Sequence, residues 1–208
     1  MGRREPQYYT DKERMCSMVR DTLLVGVAGG SASGKSTLCE QLTEKLGSMR
    51  CCTVHADTFF KRGNMPQMIS PVTGKTGDDF NTPEAVDYDA LLASLNEKAE
   101  SGAFDVIFVD GVTVFCHDAL REQFDLKLFV DLDTNIRMYR RIKRNMAVRG
   151  LTLEQVADYF TEFAVFSEMR HALPTKIYAD VIVNGASFDK MTDMLALWLP
   201  TLKEGKKA

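Results

Sequence analysis

With 208 residues, 45% of them hydrophobic and 26% charged, the chain has the make-up of one ordinary globular domain, not that of a disordered or membrane-embedded polypeptide. A net charge of -3 argues against a general pull toward nucleic acid, and no apolar run has the length of a membrane span or follows Arg3 and Arg4 as a signal-peptide core would. Cys16, Cys39, Cys51, Cys52 and Cys116 show neither a C-x-x-C pair nor zinc-like spacing, so reduced thiols and a cytoplasmic location are expected.

Residues 1–20 read as a polar arm, and residues 21–208 as a single domain. The apolar run 23–28 leads directly into the stretch GGSASGKST, after which Leu38, Leu42 and Leu46 repeat at helical spacing. This is G-x-x-x-x-G-K-[ST] in a strand-loop-helix context, a phosphate-binding loop. Glycine at Gly29 and Gly34 lets the backbone curl so that the amides of Gly29, Ser31, Ala32, Ser33, Gly34, Lys35, Ser36 and Thr37 converge on phosphate oxygens. Lys35 adds a mobile charge, the helix N-terminus adds its dipole, and the Ser36 hydroxyl is placed to ligate a phosphate-bound Mg²⁺.

Further apolar runs at 51–56, 106–109, 127–130 and 181–183 read as strands buried on both faces, which points to a parallel sheet sandwiched between helices. The helical faces are Tyr88, Leu91, Leu92 and Leu95, then Val156, Phe160 and Phe163, then Phe188, Met191, Leu195 and Trp198. The second strand closes on Asp57, followed by Phe59 and Phe60, at the sheet edge where α/β proteins bind ligands. A carboxylate there can take the proton of an attacking hydroxyl, although it could also cap a helix. The strand 106–109 closes on Asp110, a second candidate on the metal side. Residues 61–81, rich in proline and glycine, form a loop too long for a simple connection.

On the helix expected over 135–149, Arg137, Arg140, Arg141 and Arg144 share one side, with Ile136, Tyr139, Ile142 and Met146 on the other. Such a cationic face can clamp nucleotide phosphates and close as a lid around 135–152. A solvated surface and a nucleic-acid contact are the rival uses of the same stripe, the latter weakened by the missing aromatics. A motor ATPase would place a second acid where Gly111 stands, and a GTPase would end the Thr175-Lys176 stretch differently from Ile177-Tyr178.

These motifs, with N-T-P-E-A-V-D from Asn81, R-R-I-K-R-N-M-A-V-R-G from Arg140 and L-P-T-K-I-Y-A-D-V-I-V from Leu173, resemble the uridine kinase branch of the phosphoribulokinase/uridine kinase family. The resemblance implies a P-loop kinase of three-layer αβα form, with a five-stranded parallel sheet in the order 2-3-1-4-5 and a helical lid. It implies transfer of the ATP γ-phosphate, with Mg²⁺, to the 5′-hydroxyl of a ribonucleoside, with uridine and cytidine the first expectation. Asp57, Lys35, Arg141 and Arg144 then carry the chemistry, Arg137 and Arg140 face the nucleotide, and Ser36 and Asp110 face the metal. Asp57, Phe59, Phe60, Asn81, Arg144 and Arg149 are expected around the acceptor. A small-molecule substrate, no nucleic acid, no membrane, and a monomer or small homo-oligomer complete the expectation.

Three departures keep alternatives open. Asn81 stands where uridine kinases usually have Asp, Leu151 replaces a further Arg, and only residues 101–105 separate helix from strand where the family's base-reading hairpin belongs. Nicotinamide riboside kinases, which also lack that hairpin in its uridine kinase form, a kinase of another small hydroxyl metabolite, and a nucleotide-binding regulatory module without transfer activity are the alternatives.

Overall fold

The computed structural model describes residues 21–206, so the arm expected over 1–20 lies outside the described residues. Five strands, β1 (Leu23–Ala28), β2 (Cys51–His55), β5 (Val106–Asp110), β6 (Leu126–Asp131) and β7 (Val181–Asn184), form one parallel sheet in the order β2-β5-β1-β6-β7. Counted without the two strands of a separate hairpin, this is the order 2-3-1-4-5. That hairpin, β3 (Gln67–Ile69) and β4 (Thr76–Asp78), is antiparallel and fills the long loop 61–81, where no strand was expected.

Alternate side chains of the central strands feed two cores. Leu23, Val25 and Val27 face α1 (Lys35–Lys45) and α7 (Asp189–Gly205) through Leu38, Leu42, Leu195 and Leu199. Leu24 and Ala28, with Ile107, Val109 and Phe129, face α2 (Tyr88–Glu100) and the short α3 (Asp118–Arg121) through Leu91, Leu95 and Leu120. Between them Gly26 has no room for a side chain, since a Cβ there would lie 2.5 Å from the Phe124 ring.

One helical expectation differs from the structure. Trp198 sits on the outer side of α7 with Met194 and Leu197, while Thr192, Leu195 and Leu199 form the buried side. The helix α4 (Thr134–Arg149) turns its charged side inward: its buried residues are Arg137 and Asn145, whereas Ile136, Tyr139 and Met146 are exposed. The reason is what lies beneath it, a polar surface of loop and carboxylate groups in place of the sheet. After Gly150, whose left-handed φ of 64° ends α4, Thr152 opens α5 (Leu153–Tyr159) with a capping box to Gln155. The helix then runs through a π turn (Phe160–Ala164), the brief α6 (Val165–Ser167) and a second π turn (Glu168–Ala172). Among the described residues no helix is long and apolar enough to cross a membrane.

Candidate active site

The carboxyl ends of β1, β2 and β5 meet at one edge of the sheet. Gly34 takes φ 110°, a conformation that suits glycine, and turns the chain into α1, while Ala32 is held at φ 64°. Lys35 folds back over the loop, donating to the carbonyl oxygens of Gly29 and Gly30 at 3.0 Å each. Burial pulls its ammonium below the usual lysine range, and Asp57, Asp110 and Glu168 oppose that shift.

Asp110, the last residue of β5, is buried and engaged on both oxygens. Ser36 Oγ donates to Oδ2 at 2.6 Å, and His55 Nδ1 lies 2.7 Å from Oδ1. A hydroxyl and a carboxylate at this spacing, open to a phosphate cavity, are the hard oxygen donors that Mg²⁺ takes, so the residues fit that ion. His55 was not among the residues singled out in the sequence. Its signal was its place at the end of a strand, two residues before Asp57.

Two cavities open here. One, of about 760 Å³, is bounded by the phosphate loop, Asp110, Arg140 and the stretch from Gly185 to Asp189. The other, of about 450 Å³, is walled by Phe60, Phe80, Asn81, Arg141, Arg149 and Tyr159. Ser31, Asp57, Val112 and Arg144 line both and form their common border. Asp57 lies in the first turn of the 3-10 segment Ala56–Phe59, and His55, not Asp57, is the cap position there. Its carboxylate is not spent on a cap, and the residue lines the border.

The second cavity carries polar groups left without protein partners. Nδ2 of Asn81, on a residue only 4% exposed, and Nε of Arg141 are buried and unbonded. Arg141 lies 5.2 Å from the centre of the Tyr159 ring, and burial lowers its basicity, as it does for Arg144, where Arg149 adds to the effect. The aromatic wall runs from Phe60 through Phe80 to Tyr159 and Phe163, with ring centres 5.6, 6.1 and 5.7 Å apart in turn. Tyr159 Oη donates to the Asp78 carbonyl at 3.2 Å and accepts from the Phe80 amide at 3.3 Å, tying the hairpin to α5.

Several expected residues lie elsewhere. Phe59 packs into the core beside Val86 and lines neither cavity. Arg137, expected at the nucleotide, is buried in an ion pair with Glu168 behind the phosphate loop, because the inward side of α4 meets that carboxylate first. Gly29 and Ser33 support the loop from inside and do not line the cavity, with Ser33 fully buried. Gln41, Phe80, Tyr159, Glu168 and Phe188 complete the surroundings and were not anticipated as site residues. Glu168 had one signal, a lone acid within the apolar stretch 163–169.

The family model described as the phosphoribulokinase/uridine kinase family matches residues 24–105 and 101–192. The chain belongs to that family. It is 30% identical over 185 residues to a uridine kinase of Chloroflexus aggregans, covering 78% of this chain and 87% of that protein. It is 31% identical over 201 residues to uridine-cytidine kinase A of Dictyostelium discoideum, covering 86% of this chain but only 38% of that relative, so it spans well under half of the longer protein. Among solved structures, a sugar kinase from a Janibacter species superposes with a TM-score of 0.57 at 17% identity, over 89% of this chain and 98% of the other. That likeness speaks for the fold, a P-loop kinase architecture.

Proposed function

We propose that this family member transfers the γ-phosphate of ATP to the 5′-hydroxyl of a ribonucleoside, with uridine and cytidine first among the acceptors. The observation that carries the reading is the shared border: Asp57 and Arg144 line both the phosphate cavity and the aromatic one. The names of the relatives support the same acceptor class.

In this reading ATP, held with Mg²⁺ by Ser36 and Asp110, supplies the phosphoryl group. The amides of Ala32 and of Gly34 to Thr37, with the Lys35 ammonium, hold the phosphates, those of Ser31 and Ser33 being taken by Glu168 and the Gly30 carbonyl, and Arg140 closes the same cavity from α4. Asp57 accepts the proton of the attacking hydroxyl. Arg141 and Arg144 stabilise charge on the group in transit. Phe60 and Phe80 offer a ring face to a base, and Asn81 and Arg149 offer hydrogen bonds to sugar or base oxygens. The four described cysteines are free, which suits a reducing, cytoplasmic setting.

A second reading is favoured by one observation. Only the turn at 101–105 joins α2 to β5, so no hairpin there reaches over the acceptor, and nicotinamide riboside is the competing acceptor. The test is the mass of the phosphorylated product across uridine, cytidine, nicotinamide riboside, other ribonucleosides and small sugars. A nucleoside monophosphate supports the proposal. Nucleotide binding without any product overturns it and leaves a regulatory module.

A further inference from the structure

One buried charge pair stands outside the steps just described. Glu168, fully buried, opens the second π turn, and the extra residue of such a turn re-aims the side chains around it. Its Oε1 accepts the backbone N–H of Ser31 at 2.7 Å. Its Oε2 pairs with Nη1 of Arg137, which is 3% exposed. Arg137 is fixed in turn, donating from Nε to the Leu132 carbonyl at 3.1 Å and from Nη2 to Thr134 Oγ1 at 3.2 Å, with the Ser31 carbonyl 3.4 Å from Nη1. Both sides of the Ser31 residue are thus gripped from behind.

The grip falls at a telling place. Ser31 lies on the border of the two cavities, and the next residue, Ala32, is in the left-handed region, which strains a residue with a side chain unless its surroundings enforce it. Gly30 completes the arrangement, since a Cβ there would lie 2.3 Å from Arg137 Nη1 and 3.0 Å from Glu168 Oε2. A carboxylate facing a phosphate loop would repel its ligand if it stood free; here Arg137 neutralises it, and the bond to Ser31 is what remains.

We propose that Glu168, held by Arg137, is a positioning residue for the phosphate loop: it fixes the Ser31 peptide so that the strained turn at Ala32 directs the following amides at the nucleotide. The inference rests on the kinase reading above only in naming the ligand. Glu168→Asp keeps the charge but shortens the reach to Ser31, and Gly30→Ala displaces the same pair from the opposite side. Each is expected to weaken MgADP binding about tenfold in calorimetric titration, the scale of one charge-assisted hydrogen bond. In both, the ¹⁵N–¹H resonance of the Ser31 amide is expected to lose the downfield position of a short bond to carboxylate. Glu168→Gln, which keeps an acceptor oxygen for Ser31, is expected to retain more affinity than Glu168→Asp.

A pair serving stability alone would lower the melting temperatures of these variants and leave the MgADP affinity of the folded protein within twofold of the parent. That result, or an unmoved Ser31 resonance, overturns the proposal. If the parent chain itself does not bind MgADP, the kinase reading fails instead, and the Ser31 resonance alone then decides whether Glu168 holds the loop.

Discussion

The hydroxyl of Ser36 and the carboxylate of Asp110, 74 residues apart in the chain, are joined by a 2.6 Å hydrogen bond at the carboxyl edge of the sheet. Parallel pairing of β1 with β5, in which Val27 stands opposite Asp110, brings them there. With His55 on the second carboxylate oxygen, the group is pre-aimed. His55→Ala, which leaves both oxygen donors in place, is therefore expected to raise the Mg²⁺ concentration for half-maximal nucleotide binding by about 10- to 100-fold, the usual cost of losing a group that orients a metal ligand. A magnesium titration with constant ADP measures it, and an unchanged midpoint would remove His55 from the site.

Asp57 faces no such competing donor. Asp57→Asn preserves the shape of the border and removes the base, so ATP affinity is expected within about twofold of the parent while transfer falls at least about a hundredfold. Calorimetry and product formation separate the two effects. Equal rates would assign proton removal to another group.

The hairpin β3-β4 is held to α5 and the first π turn by the Tyr159 hydroxyl, by the bond from Thr73 to Glu162, and by the seat of Gly77 on Phe163. A Cβ at Gly77 would lie 2.7 Å from Phe163 Cζ, so Gly77→Ala must displace either the strand or the Phe163 ring that it rests on. This change and Tyr159→Phe are each expected to raise the acceptor KM several-fold, about the loss of one or two net hydrogen bonds, and to leave the ATP KM unchanged. Initial rates over a grid of both substrates test it.

Away from the site, Asp105 accepts from the guanidinium of Arg50 at 3.0 Å and from its backbone N–H at 2.9 Å, which holds its carboxyl well below the usual carboxylate range. A depressed folded value stabilises the fold above the unfolded value of about 3.9 and loses that contribution as pH falls further toward the folded one. Asp105→Asn is therefore expected to be less stable than the parent at neutral pH, with the gap narrowing as pH falls below about 4. Urea midpoints across that range measure it, and a constant gap would assign the effect to packing.

Burial pushes the Cys51 thiol up to about 11 and the Cys116 thiol up to about 12. Since the thiolate is the reacting form, both are expected to alkylate more slowly near neutral pH in the folded chain than in urea. Mass mapping after brief iodoacetamide treatment reads this directly, and equal labelling in the two conditions would place these thiols in open surroundings.

What was legible in the sequence was what repeats or is fixed in spacing. The five strands, their parallel arrangement, and the loop with Lys35 and Ser36 follow from local pattern, because strand, turn and helix each leave a short-range signature, although burial on both faces, expected for all five, holds for β1 and β5 and fails at the edge strands β2 and β7. Arg137 shows where pattern stops. Its helical spacing placed it correctly with Arg140, Arg141 and Arg144, but which of the four meets a nucleotide and which meets Glu168 depends on a π turn some thirty residues later. The outward turn of Ile136 and Tyr139 was hidden for the same reason, since an amphipathic helix does not say which side will find a polar neighbour. The hairpin escaped because three-residue strands with Gly77 in one of them carry almost no alternation to read.

The two cavities draw their walls from different stretches of chain. Apart from their common border, the phosphate side is built from Ala32, Gly34–Thr37, Asp110, Arg140 and residues 185–189, whereas the aromatic side comes from Phe60, Phe80, Asn81 and the outer half of α4 with α5. Residues 61–81, set between β2 and α2, give Phe80 and Asn81 to the aromatic side and no residue to the phosphate side. Drift or deliberate grafting in that segment can re-tailor what the protein accepts while the machinery that handles the nucleotide is inherited unchanged.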